Sequence, residues 1–244
     1  MNSFFSPFGI LTKQLLVCVR ITEMDQSWIL ASNSPRRRAL LGLFQQPFQV
    51  VPADIDETEY PGEAPGEYVY RMAKTKAHVV GQRFPNSGLI IAADTTVADG
   101  DEILGKPVDQ ADASRMLKQL RGRNHQVYTA ITLMVPDKGI LAQELCLSQV
   151  PMRNYTNDEI TEYVLTDDPM DKAGAYAIQH RGFHPVEDFN GCFASVMGFP
   201  ACHLARNLEK IGLMPAIKID SACQQYLDYD CPIAELVLTG VNIG

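Results

Sequence analysis

A chain of 244 residues with 46% hydrophobic and 20% charged side chains can bury one substantial core or two small ones. Its formal net charge of −8 excludes a general binder of nucleic-acid polymers, which shows a basic face. No apolar run approaches the roughly 20 residues that span a membrane. The six cysteines include no Cys-x-x-Cys pair, so they read as reduced thiols of a cytoplasmic protein rather than a zinc site or a disulfide framework.

Residues 1–26 lack a signal-peptide core and cleavage site and read as a flexible leader, with Met24 as an alternative start. Trp28-Ile29-Leu30 is a short strand that breaks at Ala31-Ser32-Asn33-Ser34-Pro35-Arg36-Arg37-Arg38. Ser34 suits a helix N-cap and Pro35 the first helical position. Arg36 and Arg37 then stand where a helix start already favours anions, and together predict a fork-shaped phosphate clamp. The helix should stop at Gly42. Phe48 to Val51 reads as a second strand, residues 52–66 as an acidic loop, and Tyr68 to Val80 as a helix by its apolar spacing.

Leu89-Ile90-Ile91-Ala92-Ala93 is a continuous apolar run of strand length, as in a sheet covered on both faces, and it is expected to end at Asp94. A helix is predicted over Ala111 to Leu120, closed by Gly122. Val127 to Met134 and Leu141 to Val150 are two longer strands, paired through the turn at Pro136 to Gly139. Thr156-x-x-Glu159 is a capping box opening a helix to about Leu165. Gly182 to Pro200 reads as loops and short strands, and a last helix covers Ala201 to Lys210 before Gly212. Alternating strands and helices give an α/β domain over 27–212, with 213–244 as a C-terminal extension, docked or partly disordered.

Several residues could carry chemistry. Asp94 is a carboxylate able to ligate a hard cation or take a proton from water. Lys106, in Gly105-Lys106-Pro107, is not part of a P-loop, whose Ser/Thr is replaced by proline. Asp54, Asp56, Glu57 and Glu59 form an acidic loop, and Lys76 sits beside Ala77 on the following helix, placed to turn inward. His180 and His184 lack a helical frame for metal binding. Gln179 offers an amide donor and acceptor that match the imide edge of uracil or thymine.

In order along the chain stand Leu30-Ala31-Ser32-x-Ser34-Pro35-Arg36-Arg37, Ala93-Asp94-Thr95, Leu104-Gly105-Lys106-Pro107, Gly122-x-x-His125-x-Val127-Tyr128-Thr129-Ala130 and Asp171-Lys172-Ala173-Gly174-Ala175-Tyr176. Together they resemble the Maf family of nucleoside triphosphate pyrophosphatases, once named septum-formation inhibitors, from Trp28 to Gly212. The resemblance implies a two-lobed, ITPase-like α/β fold: a long twisted mixed sheet flanked by helices, with a central cleft. It implies hydrolysis of a nucleoside triphosphate to the monophosphate and pyrophosphate with a divalent cation, Mg²⁺ or Mn²⁺, and it implies a homodimer. By motif, Asp94 would be the general base and Glu57, with Asp94, a metal ligand. Ser34, Arg36, Arg37, Lys76 and Lys106 would hold phosphates. Arg36, Thr95 and Gln179 side with the dTTP/UTP type. Two alternatives are the same reaction on a modified nucleotide, and a non-catalytic nucleotide-binding regulator of septum formation.

Overall fold

In a computed structural model of the chain, residues 27–213 and 216–244 are described; the expected leader at 1–26 lies outside them. Six strands form one sheet: β1 (Trp28–Leu30), β2 (Phe48–Val50), β3 (Leu89–Asp99), β4 (Glu102–Leu104), β5 (Asn124–Val135) and β6 (Gly139–Pro151). The order is β2-β1-β3-β5-β6, with β4 folded back onto the end of β3. β1 runs parallel to both β2 and β3, and the β3–β5, β5–β6 and β3–β4 pairs are antiparallel. This is the expected α/β class, a mixed sheet flanked by helices.

The apolar run of β3 is continuous because each face has its own cover. Successive residues of a strand point to opposite faces. Ile90 and Ala92 pack with Ala77 and Val80 of α2 (Pro65–Arg83), while Ile91 and Ala93 join the larger core with Leu40 and Leu41 of α1 (Pro35–Gly42). α2 lies close on its face: a Cβ at Gly81 would press on the flexible end of the Met134 side chain.

The sheet overturns one expectation. β3 does not end at Asp94. β5 pairs along it from Ile90 opposite Met134 to Ala98 opposite Gln126, and that ladder carries the strand on to Asp99. What ends is the other edge, since β1 pairs with β3 as far as Ile91 and β4 joins at Val97. Residues 92–96 therefore border a gap in the sheet. α1 does end at Gly42, though not through a left-handed glycine: Leu43 caps it with helical dihedrals, and the left-handed turn falls on Gln45 at φ 54°.

The remaining helices follow their local signals. Asp109 caps α3 (Gln110–Leu120), and Thr156 with Glu159 closes both bonds of the capping box on α4 (Asn157–Val164). Between 182 and 200 the chain forms a short helix, α5 (Phe193–Val196), and one isolated bridge, Met152 to Val186, in place of strands. α6 (Ala201–Lys210), α7 (Ile219–Leu227) and α8 (Ala234–Leu238) complete the chain. The C-terminal segment is docked: Ile219, Cys223, Ile233, Ala234 and Val237 are buried in the main core.

Arg206 of α6 fastens that segment. It ion-pairs with Glu144 of β6 and donates to the carbonyls of Val237 at 3.0 Å and Val241 at 2.6 Å. Removing one partner of a buried pair leaves the other charge uncompensated. Arg206→Ala should therefore lower stability by about 3–5 kcal/mol, read as a shifted urea midpoint.

Candidate active site

Ser34, Arg36, Arg37, Glu57, Lys76, Asp94, Thr95, Lys106 and Gln179 all line one cleft of about 780 Å³. Its walls come from the loop after β1, the acidic loop before α2, the gap beside β3, the turn after β4 and residues 171–179. Residues far apart in sequence are thus gathered at the place where the sheet lacks a neighbour.

The parity of β3 decides what each residue meets. Asp94 shares the face of Ile90 and Ala92, so it points to α2 and is 6% exposed. Lys76 falls on the inner side of α2, between Ala73 and Val80 in the helical repeat, and is itself buried. Its Nζ donates to Asp94 Oδ1 at 2.5 Å and ion-pairs with Glu57 Oε1 at 2.6 Å. One ammonium bridges two carboxylates. Burial raises the Asp94 carboxyl above the ordinary carboxylate range, against the lowering pull of Lys76 and Arg37. Glu57 goes the other way: burial would raise it, but Lys76, Lys106 and Arg37 hold it below the usual value. Tyr68 donates to the Glu57 carbonyl at 3.0 Å, which steadies the acidic loop.

Two carboxylates that already converge on one cation are a test of whether a metal fits. The cleft-lining side chains include no thiol or imidazole. That is a hard oxygen donor set of the kind magnesium or manganese takes. Glu57 and Asp94 are the residues that could hold such an ion.

Thr95 has the opposite parity and serves the opposite face. Its hydroxyl meets Arg37 Nη2 at 3.3 Å and Thr129 Oγ1 at 3.0 Å. Arg37 also donates to the carbonyls of Ala93 at 2.6 Å and Gly198 at 3.0 Å, and to Ser32 Oγ at 3.4 Å. Its donors are spent inside the protein, bridging the gap in the sheet. The expected two-arginine clamp is therefore divided. Arg36 keeps its guanidinium toward the cleft, with a loose ion pair to Asp171 at 3.9 Å, while Arg37 acts as a tie. Ser34 caps α1 by accepting from the Arg37 N–H at 3.4 Å. Lys106 and Gln179 are exposed side chains at the cleft.

Sequence reasoning missed Gly198 and Thr129. Gly198 sits at φ +97°, and a Cβ there would come within 3.1 Å of Thr95 Oγ1. Thr129 donates to the Ser195 carbonyl at 2.9 Å. The signal for Gly198 was its place in Met197-Gly198-Phe199-Pro200; Thr129 stood inside a quoted motif without a role. Lys172 was also missed. It lies buried beside the cleft, donating to Asp171 Oδ1 at 2.6 Å and Asp168 Oδ1 at 3.0 Å.

The family described as Maf-like protein matches residues 27–211. A "dTTP/UTP pyrophosphatase" of Myxococcus xanthus is 44% identical over 185 residues, 76% of this chain and 92% of that one. Another, of Dehalococcoides mccartyi, is 41% identical over 214 residues, 88% of this chain and 93% of that one. Among solved structures, the Ham1 protein of Staphylococcus aureus aligns at a TM-score of 0.36 and 17% identity, covering 52% of this chain and 72% of that one.

His125 supports the cleft from behind. It is fully buried, and its Nε2 lies 2.8 Å from the hydroxyl of the cleft residue Tyr176. Burial lowers its pKa from 6.5 to about 4. The unfolded chain thus takes up a proton here that the folded chain refuses. Stability is complete above the unfolded value and falls as pH drops toward the folded one, by about 3 kcal/mol across the window. His125→Gln should flatten that slope relative to the parent, measured as urea midpoints at successive pH values.

Proposed function

This chain belongs to the Maf family, and from that premise we propose that it hydrolyses dTTP and UTP to the nucleoside monophosphate and pyrophosphate. The observation that carries the reading is the buried Asp94 carboxylate, raised by burial and held by Lys76 in a cleft that also presents Arg36 and Lys106. A base with a raised pKa is better matched to proton transfer near neutral pH.

In this mechanism Lys76 orients Asp94 through one oxygen and leaves the other to receive a proton from water. That water attacks the α-phosphorus, and pyrophosphate leaves. Arg36 and Lys106 offset the charge that gathers on the phosphates as the bond breaks. Magnesium or manganese held by Glu57 and Asp94 would neutralise charge on the triphosphate. Arg37 and Thr95 keep β3 and the Gly198 turn in register, so Asp94 meets the substrate from a fixed strand. The exposed amide of Gln179 supplies a donor and an acceptor to a pyrimidine imide.

The test is pyrophosphate release from dTTP, UTP, CTP, 7-methyl-GTP and ITP with Mg²⁺ or Mn²⁺. Preference for dTTP and UTP is expected. Preference for another base would overturn the Gln179 assignment and keep the reaction. Folded protein that binds nucleotides and releases no pyrophosphate would overturn the reaction. Asp94→Asn should reduce kcat by about 10²–10⁴-fold, the usual contribution of a general base, with the fold intact by circular dichroism.

A further inference from the structure

Among the described residues, four buried side-chain polar atoms have no hydrogen-bond partner: His125 Nδ1, Ser148 Oγ, Ser195 Oγ and His203 Nδ1. Folded proteins leave few such atoms, and each needs a cause, a bound ion being one. For His203 the cause is close by. Its side chain converges with those of Cys146 and Cys192, so that the two sulfurs and a ring nitrogen all lie within 4.8 Å of one another. All three residues are buried, His203 to 1% exposure. Ser148 shares the buried face of β6 with Cys146, and the Ser195 N–H donates to the Cys192 carbonyl at 3.1 Å. Three of the four unpartnered atoms thus belong to one part of the core. A buried cysteine is often no more than a small hydrophobe. That reading leaves the lone nitrogen of His203 unexplained.

The other side of the ring prepares that nitrogen. His203 Nε2 lies 3.0 Å from the Ile243 carbonyl. A carbonyl only accepts, so Nε2 carries the proton and Nδ1 is left with its lone pair. Glu144 stands 4.0 Å from the same Nε2. A metal-bound histidine characteristically donates its other ring N–H to a carbonyl or carboxylate in this way. The sulfurs are held as firmly. Thr129 is paired with Cys146 across β5 and β6, and its hydroxyl donates to the Ser195 carbonyl of α5, the helix that Cys192 caps. The chain at 243–244 covers the trio. A Cβ at Gly244 would lie 3.3 Å from His203 Cε1 and 3.4 Å from Cys146 Sγ.

We propose that Cys146, Cys192 and His203 hold one zinc ion between β6, α5 and α6. Two thiolates and an imidazole select zinc over the hard cations that suit Glu57 and Asp94. Zinc bonds of about 2.0–2.3 Å set tetrahedral ligand atoms roughly 3.5–3.8 Å apart, so side-chain rotations of about 1 Å close the site. A water takes the fourth position, as in zinc sites with three protein ligands. Each thiol gives its proton to solvent as zinc takes the sulfur, and His203 gives none, because Nδ1 carries none. Without metal Cys192 stays a thiol, since contact with Cys146 and burial raise it well above the ordinary range while His203 pulls the other way. A metal reverses that preference. The ion joins the sheet to α5 and α6, and His203 passes its hold to the C-terminal segment through the Ile243 carbonyl.

The experiment is zinc analysis of the full chain, purified under reducing conditions without a metal-binding tag, and titration of the metal-stripped protein with zinc alone. Stoichiometric zinc, with about two protons released for each ion bound at neutral pH, is expected. Cobalt(II) in place of zinc should show thiolate charge-transfer absorption. Cys146→Ser, Cys192→Ser and His203→Gln should each weaken zinc binding at least about tenfold, the least that losing even a supporting residue costs. Cys223→Ser, which changes a buried cysteine outside the trio, should keep the zinc; a loss equal to that of Cys146→Ser would overturn the ligand assignment. If a ligand variant fails to fold, the zinc content and proton count of the parent decide by themselves. Folded parent protein that takes up no zinc, or that binds it without releasing protons, overturns the proposal.

Discussion

The bridge from Lys76 to Asp94 and Glu57 is the interaction on which the cleft depends. β3 brings Asp94 into the interior on the face that α2 covers, where an isolated carboxylate would be costly. Lys76 is on the inner side of α2 for the same geometric reason that Ala73, Ala77 and Val80 are. The cation compensates two acids at once and fixes the distance between them. Yet it does not fully offset burial, and Asp94 stays above the ordinary range while the more exposed Glu57 stays below. Two carboxylates that share one partner are thereby given different proton affinities, which suits the proposed roles of Asp94 as base and Glu57 as anionic ligand.

A strand can serve two walls because its side chains alternate. Asp94 faces α2, and Thr95 faces Arg37 and the Gly198 turn. This arrangement is possible where β1 has already left β3 and β4 has not yet joined it. The unpaired Ala93 carbonyl would be a liability at such an edge. Arg37 accepts that task with a 2.6 Å bond, and its further bonds to Gly198 and Thr95 join both sides of the gap. A guanidinium suits this work better than an ammonium, because its donors are splayed in a plane.

Local signals were legible in the sequence because the physics behind them is local. Ser34 before Pro35, and Thr156 with Glu159, announce helix starts through bonds spanning three residues. The inward turn of Lys76 was also readable from its neighbours. The length of β3 was not. An apolar run reports which residues are covered on both faces, whereas the strand's extent is set by pairing with β5, 28 to 44 residues further along the chain (Ala98 to Gln126, Ile90 to Met134). All the proposed site residues share the cleft, but the sequence could not distinguish two adjacent arginines with the same charge. One is spent on carbonyls that tertiary structure supplies, and the other is left toward the cleft. The cysteines show the same limit. Spacing along the chain excluded short metal motifs, and it could not show that cysteines from four segments line one small cavity.

The C-terminal segment and β3 are linked through the chain between Gly191 and Gly198. At one end Tyr229 and Cys231 hold Gly191. In the middle Thr129 of β5 takes the Ser195 carbonyl, and at the other end Arg37 takes that of Gly198. Glycine at 198 leaves no side chain to cushion a displacement, since a Cβ there would already crowd Thr95. A shift of α5 therefore reaches Thr95 and Arg37 directly, and through them the segment of β3 that carries Asp94. Packing around the tail is thus a constraint on the geometry of the proposed site, because interiors this dense transmit displacement more readily than they absorb it.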